Sequence, residues 1–434
     1  MRVLFLTDNF PPETNAPANR TWEHAREWVR MGHEVTVLTS VPNYPLGKPF
    51  AGYRNRPYQK EQMDGITVIR VWTYMAKNEG FVKRTIDQAS YMVSSFLASL
   101  TVRKPDVVIA TSPQFFTVVS GWAAATFKRR PFVFELRDLW PETIAAVGAV
   151  RSPLALRLLE KLAWFLYRKA DLVVPVTNAF KQTLVDGGIH ESKITVVTNG
   201  VNAEEIKPRR CTEETRRRYN LPVHGFVASY VGTLGMCHGL KTLVEAAELS
   251  RGDQSLHYAV MGEGADKETL RTLMVEKDLN NVTLIDGQPR QEAIELLAAS
   301  DVSLVLLKNS QVFRTVIPSK LFESMVLKKP IVLGVLGESR RIVVEECGCG
   351  LGFPPENAAE LVQSVRRLQS DPDLRRDLGE RGYYHVQTTY QRRQLAEQMI
   401  TAVESVCGLT PRTVEHSARH LDVGTGSRRH VKAA

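Results

Sequence analysis

The sequence predicts an α/β fold: two doubly wound, Rossmann-like parallel-sheet domains facing each other across a cleft. Three observations carry that expectation. Short, mainly apolar, β-branched runs alternate with amphipathic stretches along most of the chain, the pattern of parallel strands covered on both faces. The alternation stops in a polar, turn-rich stretch over residues 203–220 and then starts again. The 434 residues, 43% hydrophobic and 24% charged, suffice for two domains with separate cores, which excludes disordered, collagen-like and disulfide-scaffold classes.

In the first domain, assigned to residues 1–205, strands are expected at Val3–Thr7, Glu34–Thr39, Thr67–Trp72, Val107–Ala110, Phe132–Glu135, Leu172–Val176 and Ile194–Val197. Trp22, Ala25 and Val29 recur at helical spacing between the first two. The uncharged run from Val107 to Phe127 has the length of a membrane span, but Thr111-Ser112-Pro113-Gln114 punctuates it as strand, turn and helix. The second domain, residues 206–390, is expected to hold strands at Phe226–Val231, Leu256–Met261, Val282–Ile285, Val302–Leu307 and Ile331–Val335. Helices fall between them, among them Leu240–Leu249 and Gln291–Ala299. Residues 391–410 are expected to form a helix crossing back to the first domain, and residues 411–434 a disordered basic tail.

Open sheets of this kind bind ligands beyond the carboxyl ends of their strands, so the βα turns are where chemistry is sought. Gly232, Thr233 and Gly235 follow one expected strand, and His238-Gly239 precedes the next helix. Gly262-Glu263-Gly264 repeats the arrangement after a later strand. Glycines there let backbone N–H groups approach a phosphate, although a βα turn needs glycine for its own geometry as well. The segment Arg314-Thr315-Val316-Ile317-Pro318-Ser319-Lys320-Leu321-Phe322-Glu323 is more telling. Pro318 and Ser319 read as a helix start, with Ser319 as N-cap. Arg314 in the preceding loop and Lys320 in the first turn would then flank an anion site suited to a diphosphate. Glu323, a turn further on, would accept hydrogen bonds from ribose hydroxyls. The alternative is a capped helix with solvated charges.

These segments, with Asp8-Asn9-Phe10-Pro11-Pro12-Glu13, Gly32-His33-Glu34-Val35, Glu135-Leu136-Arg137-Asp138-Leu139-Trp140-Pro141 and Thr198-Asn199-Gly200-Val201, resemble the GT-B glycosyltransferases of the family 4 type over residues 1–405. More narrowly, the chain is similar to the bacterial transferases that build surface polysaccharides such as O-antigen, capsule and exopolysaccharide. The resemblance implies a retaining, metal-independent hexosyl- or N-acetylhexosaminyltransferase without a cofactor, using a UDP-sugar donor and a lipid-diphosphate-linked sugar or glycan acceptor. It implies leaving-group stabilisation by Lys320 and Arg314 and ribose binding by Glu323. The sugar and phosphate pocket would be lined by Gly262, Glu263 and Gly264, and the base would be held by Gln288-Pro289-Arg290. Gly232, Thr233, Gly235, His238, Thr315, Ser319 and Leu321 would complete the donor site.

Two departures from the family pattern stand out. Thr315 occupies the place of the first of two paired glutamates, and Thr233 and His238 stand where an Arg and a Lys usually bind phosphate. Acceptor contacts are expected from Asn15, Arg20 and Arg137, with Asp138 orienting the acceptor or serving as a structural partner of Arg137. Two other readings compete: a UDP-sugar 2-epimerase on the same fold, and a non-catalytic scaffold with a degenerate donor site.

The formal charge of +9 points to an anionic partner. Residues 1–207 carry +7, residues 208–410 carry −1 and residues 411–434 carry +3. Residues 81–104 and Leu154–Lys169 combine aromatic and aliphatic side chains with basic ends, a composition suited to an anionic membrane surface. The basic residues show no aromatic-interleaved platform, so nucleic acid is not expected as a partner. Five scattered cysteines and a short apolar N-terminal run are read as a cytoplasmic protein, peripheral on the inner face of the membrane.

Overall fold

A computed structural model describes residues 1–13, 15–44, 47–75, 81–140 and 152–409. The expected tail at 411–434 lies outside them. In the first sheet the strands are β1 (Arg2–Leu6), β2 (Glu34–Ser40), β3 (Tyr58–Met63), β4 (Ile66–Val71), β5 (Val107–Thr111), β6 (Phe132–Leu136) and β7 (Leu172–Pro175). Their spatial order is β3-β4-β2-β1-β5-β6-β7. All pair in parallel except β3, which runs antiparallel to β4. Phe5, Val37, Val108 and Phe134 are buried because helices cover both faces. Among the described residues, the helices before β7 are α1 (Ala16–Arg30), α2 (Phe81–Thr101), α3 (Phe115–Lys128) and α4 (Pro153–Lys169). The stretch after Val107 is thus strand, turn and helix, as its Pro113 predicts.

The second sheet is wholly parallel, with β8 (Phe226–Val231), β9 (Leu256–Gly262), β10 (Val282–Asp286), β11 (Val302–Leu306), β12 (Ile331–Gly334) and β13 (Gly350–Gly352) in the order β10-β9-β8-β11-β12-β13. Helices α5 (Asn178–Asp186) and α6 (Thr212–Arg218) lie between the two sheets in sequence. The crossovers that follow are α7 (Lys241–Leu249), α8 (Lys267–Glu276), α9 (Arg290–Ala299) and α10 (Lys320–Val326). The chain ends in α11 (Ala358–Ser370), α12 (Pro372–Thr388) and α13 (Arg392–Val406). It passes between the domains twice, near Val201 and near Gln391, and the two passes pair there as a parallel bridge. Beyond the second pass α13 packs on the first domain. Leu395, Met399 and Ile400 share a core with Phe5 and Trp28, and Trp28 Nε1 donates to the Ala396 carbonyl over 2.9 Å.

One expectation needs correction, and two strands were not foreseen. Ile194–Val197 is not a strand. Thr195 and Val197 donate to β7 carbonyls, but the carbonyls of Val197 and Thr198 turn away to the Arg20 guanidinium. The unforeseen β3 is a polar edge strand, and such strands carry no apolar run to announce them. β13 is a short strand through Gly350, where a Cβ would stand 2.2 Å from the Ile331 carbonyl oxygen.

Candidate active site

The carboxyl ends of both sheets face a cavity of about 830 Å³. On its second-domain side the cavity is lined by Gly232 and Thr233, which follow β8. The turn is built on close backbone packing: a Cβ on Gly262 would stand 1.8 Å from the Gly232 carbonyl oxygen, and one on Gly264 2.2 Å from that of Leu234. The glycines in these two turns therefore serve first to stack one turn on the other. Gly235 belongs to the same structure, with its amide 3.3 Å from His238 Nδ1.

Behind Gly232 stands Lys320, at the start of α10. Its ammonium lies 3.7 Å over the centroid of the Tyr230 ring and is buried without a hydrogen-bond partner. A Cβ on Gly232 would come within 2.8 Å of that nitrogen, so a side chain at this position would collide with the cation. Burial pulls the Lys320 pKa down to about 7, against the opposing charge of Glu323. His238 is held neutral for a related reason: burial, then the charge of Lys320, lower its pKa to about 4.

Glu323 lines the cavity, 3.8 Å from the Arg290 guanidinium. Burial raises its pKa, with Arg290 and Lys320 working the other way. Pro289, Arg290 and Gln288 also line the cavity, as does Ser319. Ser319 occupies the N-cap position but makes no side-chain cap bond, because its own backbone is helical.

Other expected donor residues sit elsewhere. Arg314 is exposed in a 3-10 turn, Val312–Thr315, whose carbonyl packs on Gly337, and it does not line the cavity. Arg290, rather than Arg314, is the guanidinium beside Glu323. Thr315 donates its hydroxyl to the Val312 carbonyl, and the Leu321 side chain is in the core. Glu263 accepts from Lys267 at 2.6 Å and from the Gly287 amide at 2.9 Å, which ties the β9 turn to the β10 turn.

On the first-domain side the cavity is walled by Arg20, Glu23, Arg137 and Asn199, together with Arg392 at the start of α13. Arg20 is fully engaged within the protein. Its Nε donates to Glu135 at 2.8 Å, and its other nitrogens to the Val197 and Thr198 carbonyls and to Asn199. Burial works against the Glu135 carboxylate, yet Arg20 and Arg137 hold its pKa below the usual value. Asn15 caps α1 by accepting from the Ala18 amide and is not among the lining residues. Arg137 lines the cavity after β6; Asp138 follows it, its carboxyl pushed up to about 6 by burial against the pull of Arg137. Glu23, Asn199 and Arg392 are the residues that sequence reasoning missed. Asn199 lay in a motif already singled out, whereas Glu23 and Arg392 sit among helical charges that carry no distinguishing pattern.

Two Rossmann-like sheets opposed across such a cleft are the GT-B arrangement. Residues 15–200 match the family described as Glycosyl transferase 4-like domain and residues 212–385 that described as Glycosyl transferases group 1, and the chain belongs with them. It is 24% identical over 378 residues to a protein named as a colanic acid biosynthesis glycosyl transferase, WcaI of Escherichia coli K12, covering 85% of this chain and 92% of that one. Its fold is similar to sucrose-phosphate synthase from Thermosynechococcus elongatus, with a TM-score of 0.73 at 17% identity, covering 94% of this chain and 99% of the other. HepE of Anabaena, solved in complex with UDP-glucose, gives a TM-score of 0.68 at 17% identity, covering 93% of this chain and 100% of that one.

Proposed function

We propose that this glycosyltransferase moves a sugar, with retention, from a UDP-sugar to a lipid-linked or glycan acceptor in the synthesis of a surface polysaccharide. One observation carries the donor side: a buried, unpaired ammonium lies directly behind the β8 glycine turn. As the anomeric bond breaks, charge develops on the leaving diphosphate, and Lys320 is the cation placed to meet it. Glu323, on the same short helix and facing the cavity, takes the ribose hydroxyls, and the Gln288–Arg290 turn takes the base. The UDP complex of the HepE neighbour and the colanic acid name of the WcaI relative support the choice of donor and of setting. Domain closure would align the acceptor hydroxyl on the same face of the sugar.

The acceptor's lipid is read from the outer face of the first sheet. There α2 packs against α3, and α3 against α4. Leu97 on α2, Phe127 at the end of α3 and Leu158 on α4 are exposed, among Arg84, Lys104, Arg129 and Arg157. Apolar side chains ringed by cations suit the surface of an anionic bilayer. Among the described residues no helix is long and apolar enough to cross a membrane.

Turnover of UDP-sugars with lipid-linked acceptors tests the proposal. Lys320→Ala is expected to lower kcat about 100-fold or more, the usual effect of removing a group that meets developing charge. Glu323→Ala is expected to raise the donor KM about tenfold, as for loss of a charged hydrogen bond. Epimer formation without acceptor, or turnover indifferent to both changes, would overturn the reading.

A further inference from the structure

We infer that Arg137 and Arg392 form a second oxyanion site, on the first-domain wall of the cleft, which holds a phosphoryl or carboxylate group of the acceptor. This deepens the proposed function and rests on it only for the word acceptor.

The first-domain wall of the cleft holds unmatched hydrogen-bond donors. On the first-domain wall, opposite Arg290, three guanidinium groups, Arg20, Arg137 and Arg392, line the cavity, and the carboxylates paired with Arg20 and Arg392 are Glu135 and Glu23. Asp138, although burial pushes its carboxyl up to about 6, is mostly ionised at neutrality and balances the third guanidinium. Arg20 has acceptors for all three of its nitrogens. Arg392 stands 2.6 Å from Glu23 and donates to the Gly200 carbonyl, but its Nη1 is buried with no partner. Arg137 Nη1 is likewise buried and unpartnered. Charge is therefore balanced, and what is left over is two buried guanidinium donors in the wall of a cavity. Burying such groups without an acceptor is unfavourable, and a guanidinium fork is shaped for carboxylate or phosphate oxygens.

Position separates this site from the donor's. Lys320 lies behind the β8 turn of the second domain, whereas Arg137 follows β6 of the first and Arg392 begins the helix packed on that domain. Arg20 is the positioning residue: it ties α1 to β6 and to the Val197–Asn199 crossing, and so fixes the wall that carries both free donors.

Calorimetry on the full chain tests this, with and without saturating UDP. The probes are glucose 1-phosphate, methyl glucuronoside and, as the neutral control, methyl glucoside. One anionic probe is expected to bind at least about tenfold more tightly than the control, as charge-assisted hydrogen bonds allow. Arg137→Gln and Arg392→Gln should each remove about tenfold of that preference while the UDP Kd stays within about twofold. Preference for glucose 1-phosphate assigns a diphosphate-linked sugar as acceptor; preference for the glucuronoside assigns a uronic acid. Among the described residues Arg137→Gln breaks no side-chain hydrogen bond, so it carries the test if Arg392→Gln fails to fold. The inference is overturned if neither anion binds better than methyl glucoside, or if the variants lose UDP instead. Failure of the wild-type chain to bind UDP, with the arginine-dependent preference intact, would sink the donor reading and leave this one standing.

Discussion

With the diphosphate placed at Lys320 as proposed, donor binding is expected to be coupled to a proton. The Lys320 pKa near 7 lies below the ordinary lysine value, so between about pH 7 and 10 the unfolded chain holds more protons than the folded one, and stability rises with pH across that window. A diphosphate reverses the preference by stabilising the ammonium. Below pH 7 the lysine is charged before and after binding; above it, binding must take up a proton and affinity falls. At pH 8 we expect uptake of about one proton with UDP, read as a dependence of the calorimetric enthalpy on the buffer's heat of ionisation. The dependence should vanish in Lys320→Met; the same enthalpy in phosphate and Tris for the wild type would refute the assignment. This residue was legible in the sequence because Pro-Ser-Lys at a helix start is a local pattern. Arg392 was not, since it meets Arg137 only through folding of segments some 250 residues apart.

At the scale of elements, the two stacked glycine turns hold the donor side together. Gly262→Ala forces a Cβ onto the Gly232 carbonyl, a clash that should cost about 1–3 kcal/mol and abolish UDP binding, because it displaces the turn that covers Lys320. Gly252→Ala meets nothing within 4 Å and should leave both the thermal midpoint and UDP affinity as they are. Equal behaviour of the two variants would show that the stacking is dispensable. Parallel strands were legible here because burial on both faces makes each a run of apolar residues. The edge strand β3 had a different signal, in the turn that follows it. Asp64 and Gly65, both at positive φ, form a two-residue connection between antiparallel strands, the Asp-Gly signature of a type I′ hairpin. Weight given to the turn rather than to the polar residues before it would have placed that strand.

For the whole molecule, the uneven division of charge takes on a geometry. Part of the basic surplus of the first half, Arg84, Lys104, Arg129 and Arg157, is exposed on or just after α2, α3 and α4, the helices that also expose Leu97, Phe127 and Leu158. Binding to vesicles of phosphatidylglycerol is expected at low salt and should weaken as salt rises to 0.5 M, since the Debye length shrinks to about 4 Å. The double change Leu97→Ser and Phe127→Ser should reduce vesicle binding at every salt concentration without lowering the thermal midpoint, both residues being exposed. Vesicle binding unaffected by both salt and substitution would exclude this face. The packing of α13 on the first sheet bears on how the molecule is made. The surface of Phe5 and Trp28 waits for Leu395, Met399 and Ile400, which leave the ribosome only after the second sheet is complete. The half synthesised first is thus the last to be finished. During that interval its open apolar floor is what a nascent-chain chaperone would have to shield.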